Sequence, residues 1–547
     1  MPTHGRLQLL IIAVAALLLI PGLGAVHLFD WDEINFAEIA REMVASGDWL
    51  RPQMHFEAFH EKPPLFMWLQ ALSMKAFGVG EFAARFPNAI CGVLTLWLLY
   101  RIGEQTQGRV FGMLWALAYI GSILPHLYFR SGIIDPWFNL LIFLGLHAII
   151  TLVQRDPKRD PNAMNARSDR HAWIGGFFLG LAVLTKGPVG VLVPGLVVGA
   201  FWAWKRFRFV LSLRRIGIVA LATALTVSTW ALIDLLRNGP EFMIAFFWRQ
   251  VAMLTTEDAG HGGFVGYHFV VLLLGCFPAS VFALQELLRP TRSNDAHVSD
   301  HRHWMVILFW VVLILFSIVK TKIVHYSSLC YFPLTYLAAL QLERIWRKQE
   351  GFGWSRFLLG GLGTAIALLV IAVPFAGMSI DAIKPLFAQD PFAIANLDAE
   401  VKWTGLEAIA GLVLLAGLLT GHALHGRRKF RAAVLSVFAG GALFVTTTLF
   451  FFIRNIEGYS QRAAVEFFAG KADDRCWLIT KGYKSYVPEF YGRVKEAQPD
   501  EATLWRGPID RPVYLACKVT HAEEVEQLGT FTELYRKNGF IFWERIP

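Results

Sequence analysis

Long apolar runs, each broken by a short polar connector, dominate residues 1–455. The first, Leu7 to Phe29, has about 20 apolar residues, enough to cross the hydrocarbon of a bilayer. Further runs lie near 84–100, 110–128, 133–153, 172–185, 187–204, 216–235, 268–286, 304–319, 328–342, 357–375, 403–422 and 432–453. Together they predict about thirteen helical crossings. No convincing small-x-small cleavage site follows the first run, so it reads as a retained helix and not a signal peptide. Residues 456–547 change character. Strand-like runs (CWLIT, VYLACKV, GFIFWERI) alternate there with helical stretches (AAVEFFAGKA, HAEEVEQL), the pattern of a small α/β domain.

Composition sharpens the picture. The chain has 547 residues, 55% hydrophobic and 17% charged, with a mean hydropathy of +0.46. Soluble domains carry about a quarter charged residues, so this is the composition of an α-helical polytopic membrane protein. The net charge of +9 does not point to nucleic acid, because the basic residues sit in connectors between apolar runs. With the N-terminus in the cytoplasm, the segments RDPKRDPNAMNARSDR, KRFRFVLSLRR, ERIWRKQE and HGRRKFR all fall on the cytoplasmic side. The same alternation puts residues 29–83 and the C-terminal domain outside. P-loop, dinucleotide and H-E-x-x-H patterns are absent, which removes support for ATP-driven transport. Cys91, Cys276 and Cys330 lie in apolar runs and read as packing residues. Cys476 and Cys517 face an oxidising compartment in this topology; a disulfide between them and two buried thiols are the two expectations.

Polar chemistry concentrates in the loops assigned outside. Asp30, Asp32, Glu33, Glu38, Arg41, Glu61 and Lys62 crowd the segment that follows the first span. A solvated loop with caps and ion pairs is the bland reading of such a cluster. Within it, Ile34, Ala37, Ala40 and Val44 recur near helical spacing, which predicts an amphipathic helix along the interface, ended by Gly47-Asp48.

The order of these pieces resembles a known family. An Asp-Glu pair (Asp32-Glu33) leads into Ala-Glu-Ile-Ala-Arg-Glu-Met (Ala37 to Met43), then Ser-Gly-Asp-Trp (Ser46 to Trp49) and Glu-Lys-Pro-Pro (Glu61 to Pro64). The likeness continues at Glu81 to Pro87, Ile134-Asp135-Pro136, Leu184 to Pro188, His261 to Phe264 and Lys320 to Tyr326. It resembles the bacterial glycosyltransferases that use polyprenyl-phosphate-linked sugars, which include protein O-mannosyltransferases and lipid A aminoarabinose transferases. The resemblance implies the GT-C fold and transfer from undecaprenyl phosphate to lipid A or another envelope glycan at the outer face of the inner membrane. Where the aminoarabinose enzymes carry Arg-Tyr after Asp-Glu-x, this chain has Asn35-Phe36, which leaves sugar and acceptor open.

That chemistry needs a base or orienting carboxylate for the acceptor hydroxyl and cations for the departing phosphate. Asp32 is the candidate base, Glu33 its neighbour in support or acceptor binding, and Asp135 a second carboxylate. Asp135 also reads as a helix N-cap before Pro136. Lys62, Arg85, Lys186, Lys320 and Lys322 are candidate phosphate ligands, with Tyr326 as a hydrogen-bond donor; any one of the cations could instead snorkel to headgroups. No cofactor is required. A divalent ion such as zinc on Glu61 and His261 is the optional addition. The competing classes are a protein O-glycosyltransferase of the same fold, a lipid or solute transporter, and an envelope assembly factor.

Overall fold

A computed structural model describes residues 4–154, 167–208, 211–255, 262–291, 295–472 and 474–547. Among these residues, seven helices are long and apolar enough to cross a membrane: Glu81–Gln107, Asp135–Gln154, Leu213–Asn238, Ala296–Ile318, Ser355–Met378, Leu406–Gly426 and Phe430–Gly458. The runs expected as single spans near 110–128 and 268–286 are bent pairs. Arg109–Ile120 turns by 83° into Ile123–Arg130, and Tyr267–Gly275 turns by 118° into Ala279–Leu288. Counting each pair as one span gives up to nine, and Gly5–Leu19 and Val189–Trp204 are shorter apolar helices. Small residues let backbones close up inside the bundle: a Cβ added at Gly417 would stand 2.9 Å from the Cα of Gly440 on the neighbouring helix.

The bundle opens on the segment that carries the candidate chemistry. After α1 (His4–Leu19) the chain turns into α2 (Asp32–Ser46), which Gly47 closes in the left-handed region at φ 74°. The pleated pair β1 (Gln53–Met54) and β2 (Glu57–Ala58) follows, then α3 (Leu65–Phe77) and the long α4 (Glu81–Gln107). α2 does not lie open on an interface. Residues 33, 34 and 36–43 are all buried, because α3 covers one side and the C-terminal segment the other. Two of its buried charges pair with each other: Arg41 donates to both oxygens of Glu38 at 2.7 and 2.6 Å and to the Val494 carbonyl at 2.7 Å.

The C-terminal segment builds a four-stranded sheet in the order β3 (Trp477–Lys481), β4 (Val513–Lys518), β6 (Phe540–Arg545), β5 (Thr532–Lys537). β3 and β4 are parallel and the other pairs antiparallel. This register overturns the expected disulfide. Trp477 faces Val513 and Lys481 faces Cys517, so Cys476 and Cys517 sit about 16 Å apart along the pair, beyond the reach of an S–S bond. All five cysteines are free thiols. The segment is tied to the turn before α2. The Tyr491 hydroxyl accepts from Leu28 N at 2.7 Å, Gln461 bonds Asp30 N and the Leu28 carbonyl, and Asp30 accepts from Ser485 Oγ and Tyr486 N.

Candidate active site

Segments far apart in sequence place polar side chains on one cavity of about 890 Å³, and one more brings Asp135 against a lining lysine. Asp32 opens α2, where the helix N-terminus favours a negative charge. Asp135 opens the helix Asp135–Gln154, and Lys186 ends the helix Arg167–Lys186. Lys62 comes from the Glu-Lys-Pro-Pro turn, and His325 and Tyr326 from the short helix Val324–Cys330. Glu61, Arg130, Arg249, Trp31, Lys484 and Tyr486 add to the polar wall, while Leu124, Leu127, Leu449 and Ile453 line an apolar one.

The polar groups form a connected line. Lys186 Nζ lies 2.7 Å from Asp135 Oδ1, and both are largely buried. His325 Nε2 lies 3.6 Å from Asp135 Oδ2 and 3.3 Å from Asp32 Oδ2. The Asp32 side chain keeps 41% of its surface exposed, so of the two carboxylates beside His325 it is the accessible one. Partial burial alone would raise its pKa. The hydrogen bond and charge of His325, with Lys186 and Lys62, outweigh burial and hold it below the ordinary carboxylate range. Lys62 shows the converse. Burial, with repulsion from Lys186 and Arg249, pushes its ammonium below the usual lysine range, against the pull of Glu61 and Asp32. A cation held that way gains from an incoming anion.

Other expected site residues are spent elsewhere. Arg85 uses all five N–H groups inside the protein, on both oxygens of Glu33 and on the carbonyls of Leu23, Val26 and His27. It touches the cavity but has no donor left for a phosphate. Glu33 also accepts from Phe29 N at 2.9 Å and Gly132 N at 2.5 Å. This pair is a strut that holds the turn before α2 against α4. Lys322 folds back onto the helix Ala296–Ile318. Its Nζ donates to the carbonyls of Phe316 at 3.1 Å, Ser317 at 2.7 Å and Val319, because the last carbonyls of a helix lack intrahelical partners. Lys320 is exposed and does not line the cavity. Glu61 pairs with Arg249 at 3.7 Å, and His261 lies outside the described residues. Among the described residues no group of three or more His, Cys, Asp or Glu side chains is placed to hold a metal ion, so the zinc expectation gains no support.

Sequence reasoning passed over His325, Arg249, Lys484 and Tyr486. His325 and Arg249 carried a weak signal, since both lie in polar segments (KTKIVHYSS, FFWRQ) assigned to the outer face. Lys484 and Tyr486 carried none, because only the docking of the C-terminal segment brings them to the cavity.

Fold and site together define a class: a helical protein with several helices long and apolar enough to cross a membrane, and with a carboxylate and a cluster of cations on a cavity that has one apolar wall. Residues 61–231 match the dolichyl-phosphate-mannose-protein mannosyltransferase family. The chain is 28% identical over 357 residues to the undecaprenyl phosphate-alpha-4-amino-4-deoxy-L-arabinose arabinosyl transferase of Enterobacter sp. (strain 638), covering 62% of this chain and 61% of that one. Against the enzyme of the same name from Pectobacterium carotovorum the identity is 27% over 451 residues, 79% of this chain and 75% of the relative. The crystal structure of ArnT from Cupriavidus metallidurans bound to undecaprenyl phosphate superposes with a TM-score of 0.77 at 22% identity, over 99% of this chain and 98% of that one. The chain is thus similar in sequence to the aminoarabinose transferases, matches the mannosyltransferase family over residues 61–231, and shares the fold of ArnT.

Proposed function

We propose that this protein is an inverting glycosyltransferase that moves a sugar from undecaprenyl phosphate to lipid A or another envelope acceptor, with 4-amino-4-deoxy-L-arabinose as the first candidate sugar. The observation that carries this reading is the cavity itself. It joins an ionised, accessible carboxylate and a destabilised cation to an apolar wall at the level of the membrane-spanning helices. A polyprenyl phosphate has that same division into apolar tail and dianionic head. The names of the Enterobacter and Pectobacterium relatives support the donor and the sugar.

The chemistry follows from the groups present. Lys62, Lys186, Arg249 and Tyr326 face the head of the cavity and receive the phosphate of the donor. Asp32 accepts the proton of the acceptor hydroxyl as its oxygen attacks the anomeric carbon. The new C–O bond forms as the bond to the phosphate oxygen breaks, and the electron pair leaves with the phosphate. Attack from the face opposite the leaving group inverts the anomeric centre. Placing the reacting groups together supplies much of the rate, since phosphate is already a good leaving group.

The topology that suits this reading has about thirteen crossings, the N-terminus in the cytoplasm and residues 456–547 outside as a domain covering the site. The basic connectors support that orientation. The family match at residues 61–231 favours a second reading, transfer to a protein hydroxyl. Mass spectrometry of lipid A and envelope glycans from cells with the wild-type chain, without it, and with Asp32→Asn separates the two. A substituent lost in both altered strains supports transfer to a glycan, and its mass names the sugar. An unchanged glycan pool with altered glycoproteins would replace the first reading with the second.

A further inference from the structure

His325 stands between two carboxylates, and an ionised carboxylate can accept hydrogen bonds but not donate them. The nitrogen they share, Nε2, must therefore carry the hydrogen. One N–H serves one acceptor at a time. It lies nearer Asp32, at 3.3 Å, than Asp135, at 3.6 Å. The two oxygens of Asp135 are unequal. Oδ1 is held by Lys186 at 2.7 Å, whereas Oδ2 is buried and accepts no hydrogen bond. A buried carboxylate oxygen without a donor is costly, so the site holds a standing vacancy for the His325 N–H, a few tenths of an ångström beyond its present reach.

We propose that His325 is a positioning residue that shares one N–H between Asp32 and Asp135, aiming the Asp32 carboxylate at rest and turning to Asp135 as Asp32 takes the acceptor proton. The inference rests on the reading of Asp32 as the base. In the resting site the N–H and its charge oppose protonation of Asp32, which keeps the base available. A carboxylate so stabilised is a weak base. As the acceptor oxygen bonds the anomeric carbon, its proton passes to Asp32 and the phosphate leaves with the electron pair of the broken bond. Asp32 is then neutral and itself a donor. The His325 N–H moves to Asp135 Oδ2, fills the vacancy and stops opposing the proton transfer. Once Asp32 gives its proton to solvent, the N–H returns. Lys186 fixes Asp135 throughout, and the charged and titratable groups around the ring are Asp32, Asp135, Lys186, Lys62 and the Tyr326 phenol.

The test uses the full chain in lipid nanodiscs as wild type, His325→Ala, His325→Asn and Asp135→Asn, each checked by thermal unfolding. Infrared titration of the Asp32 carboxylate band, assigned with Asp32→Asn, needs no substrate. His325→Ala is expected to raise the Asp32 midpoint by about one pH unit, and His325→Asn by less, because the amide keeps an N–H. With undecaprenyl phosphate-4-amino-4-deoxy-L-arabinose and lipid A, the acid limb of kcat/KM should move by the same amount. Asp135→Asn should leave the Asp32 midpoint low yet reduce kcat by roughly 10²-fold with KM little changed. Equal Asp32 midpoints in wild type and His325→Ala overturn the inference, as does full kcat in Asp135→Asn. Failure of the wild type to transfer this sugar counts against the proposed function instead, and the titration still decides the role of His325.

Discussion

The Arg85 guanidinium and the Glu33 carboxylate meet at two points, Nε to Oε1 at 2.9 Å and Nη2 to Oε2 at 2.8 Å, with both side chains about 5% exposed. Burial would neutralise Glu33, but Arg85 and the N–H groups of Phe29 and Gly132 hold its pKa below the ordinary value. Removing one partner leaves the other charge buried and unpaired. Arg85→Ala or Glu33→Ala should each destabilise the protein by about 3–5 kcal/mol. The Arg85→Ala, Glu33→Ala double variant should be less unstable than the sum of the two single changes. A double-mutant cycle on thermal unfolding in nanodiscs reads the difference, and additive losses would contradict the strut.

Lys62 is expected to act on the donor phosphate. Lys62→Gln should weaken binding of undecaprenyl phosphate by roughly 10–100-fold, the worth of a charge-assisted hydrogen bond. Because its pKa is depressed by burial and by Lys186, the wild-type affinity should decline with rising pH earlier than an ordinary lysine would allow. Titrating undecaprenyl phosphate affinity against pH checks both. A flat profile up to the normal lysine range would exclude Lys62 from the contact.

Lys322 makes the opposite prediction from a similar sequence context. It caps the helix Ala296–Ile318 through three carbonyls, so Lys322→Ala should lower stability by about 1 kcal/mol and leave undecaprenyl phosphate affinity within about twofold. Comparison of the Lys62 and Lys322 variants in one binding assay distinguishes a ligand-facing lysine from a structural one.

Asp30 joins the turn before α2 to Ser485 and Tyr486, and burial, partly offset by those two hydrogen bonds, raises its pKa to about 6. A carboxyl whose folded pKa exceeds the unfolded value of about 3.9 stabilises the fold below that value and loses the contribution as pH rises through 6. Asp30→Asn should therefore gain in melting temperature relative to wild type between pH 5 and 7. A difference that stays constant or falls across that window would show that Asp30 remains charged.

The strand register predicts that reductant does nothing to the C-terminal segment. Protein prepared under oxidising conditions should run identically on denaturing gels with and without dithiothreitol, and its melting temperature should not change. A mobility shift that disappears in Cys476→Ser would require a different pairing of β3 and β4.

Much of the architecture was legible along the chain. Apolar runs near the length of a bilayer, with basic connectors between them, mark a polytopic protein because the bilayer imposes length and charge locally. The turn motifs around Asp32 and Glu61-Lys62 were visible for the same reason: short-range geometry needs residues in fixed order. Bends were harder to see. Arg109–Ile120 and Tyr267–Gly275 end within runs that remain apolar, and hydropathy does not record an 83° or 118° turn.

Tertiary structure alone decided which charges are free to act. Arg85 and Lys62 look alike as outer-face cations, yet Arg85 spends every donor on Glu33 and three carbonyls while Lys62 faces the cavity. His325 gained its place only because a short helix brings it between Asp32 and Asp135, and Lys484 and Tyr486 only because the C-terminal segment docks on the turn before α2. Hydrophobic patterning depends on neighbours a few residues away and is written into the order of the chain. A charge has its pKa, its partners and its availability set by groups a few ångströms away in space, and the packed fold alone assembles those.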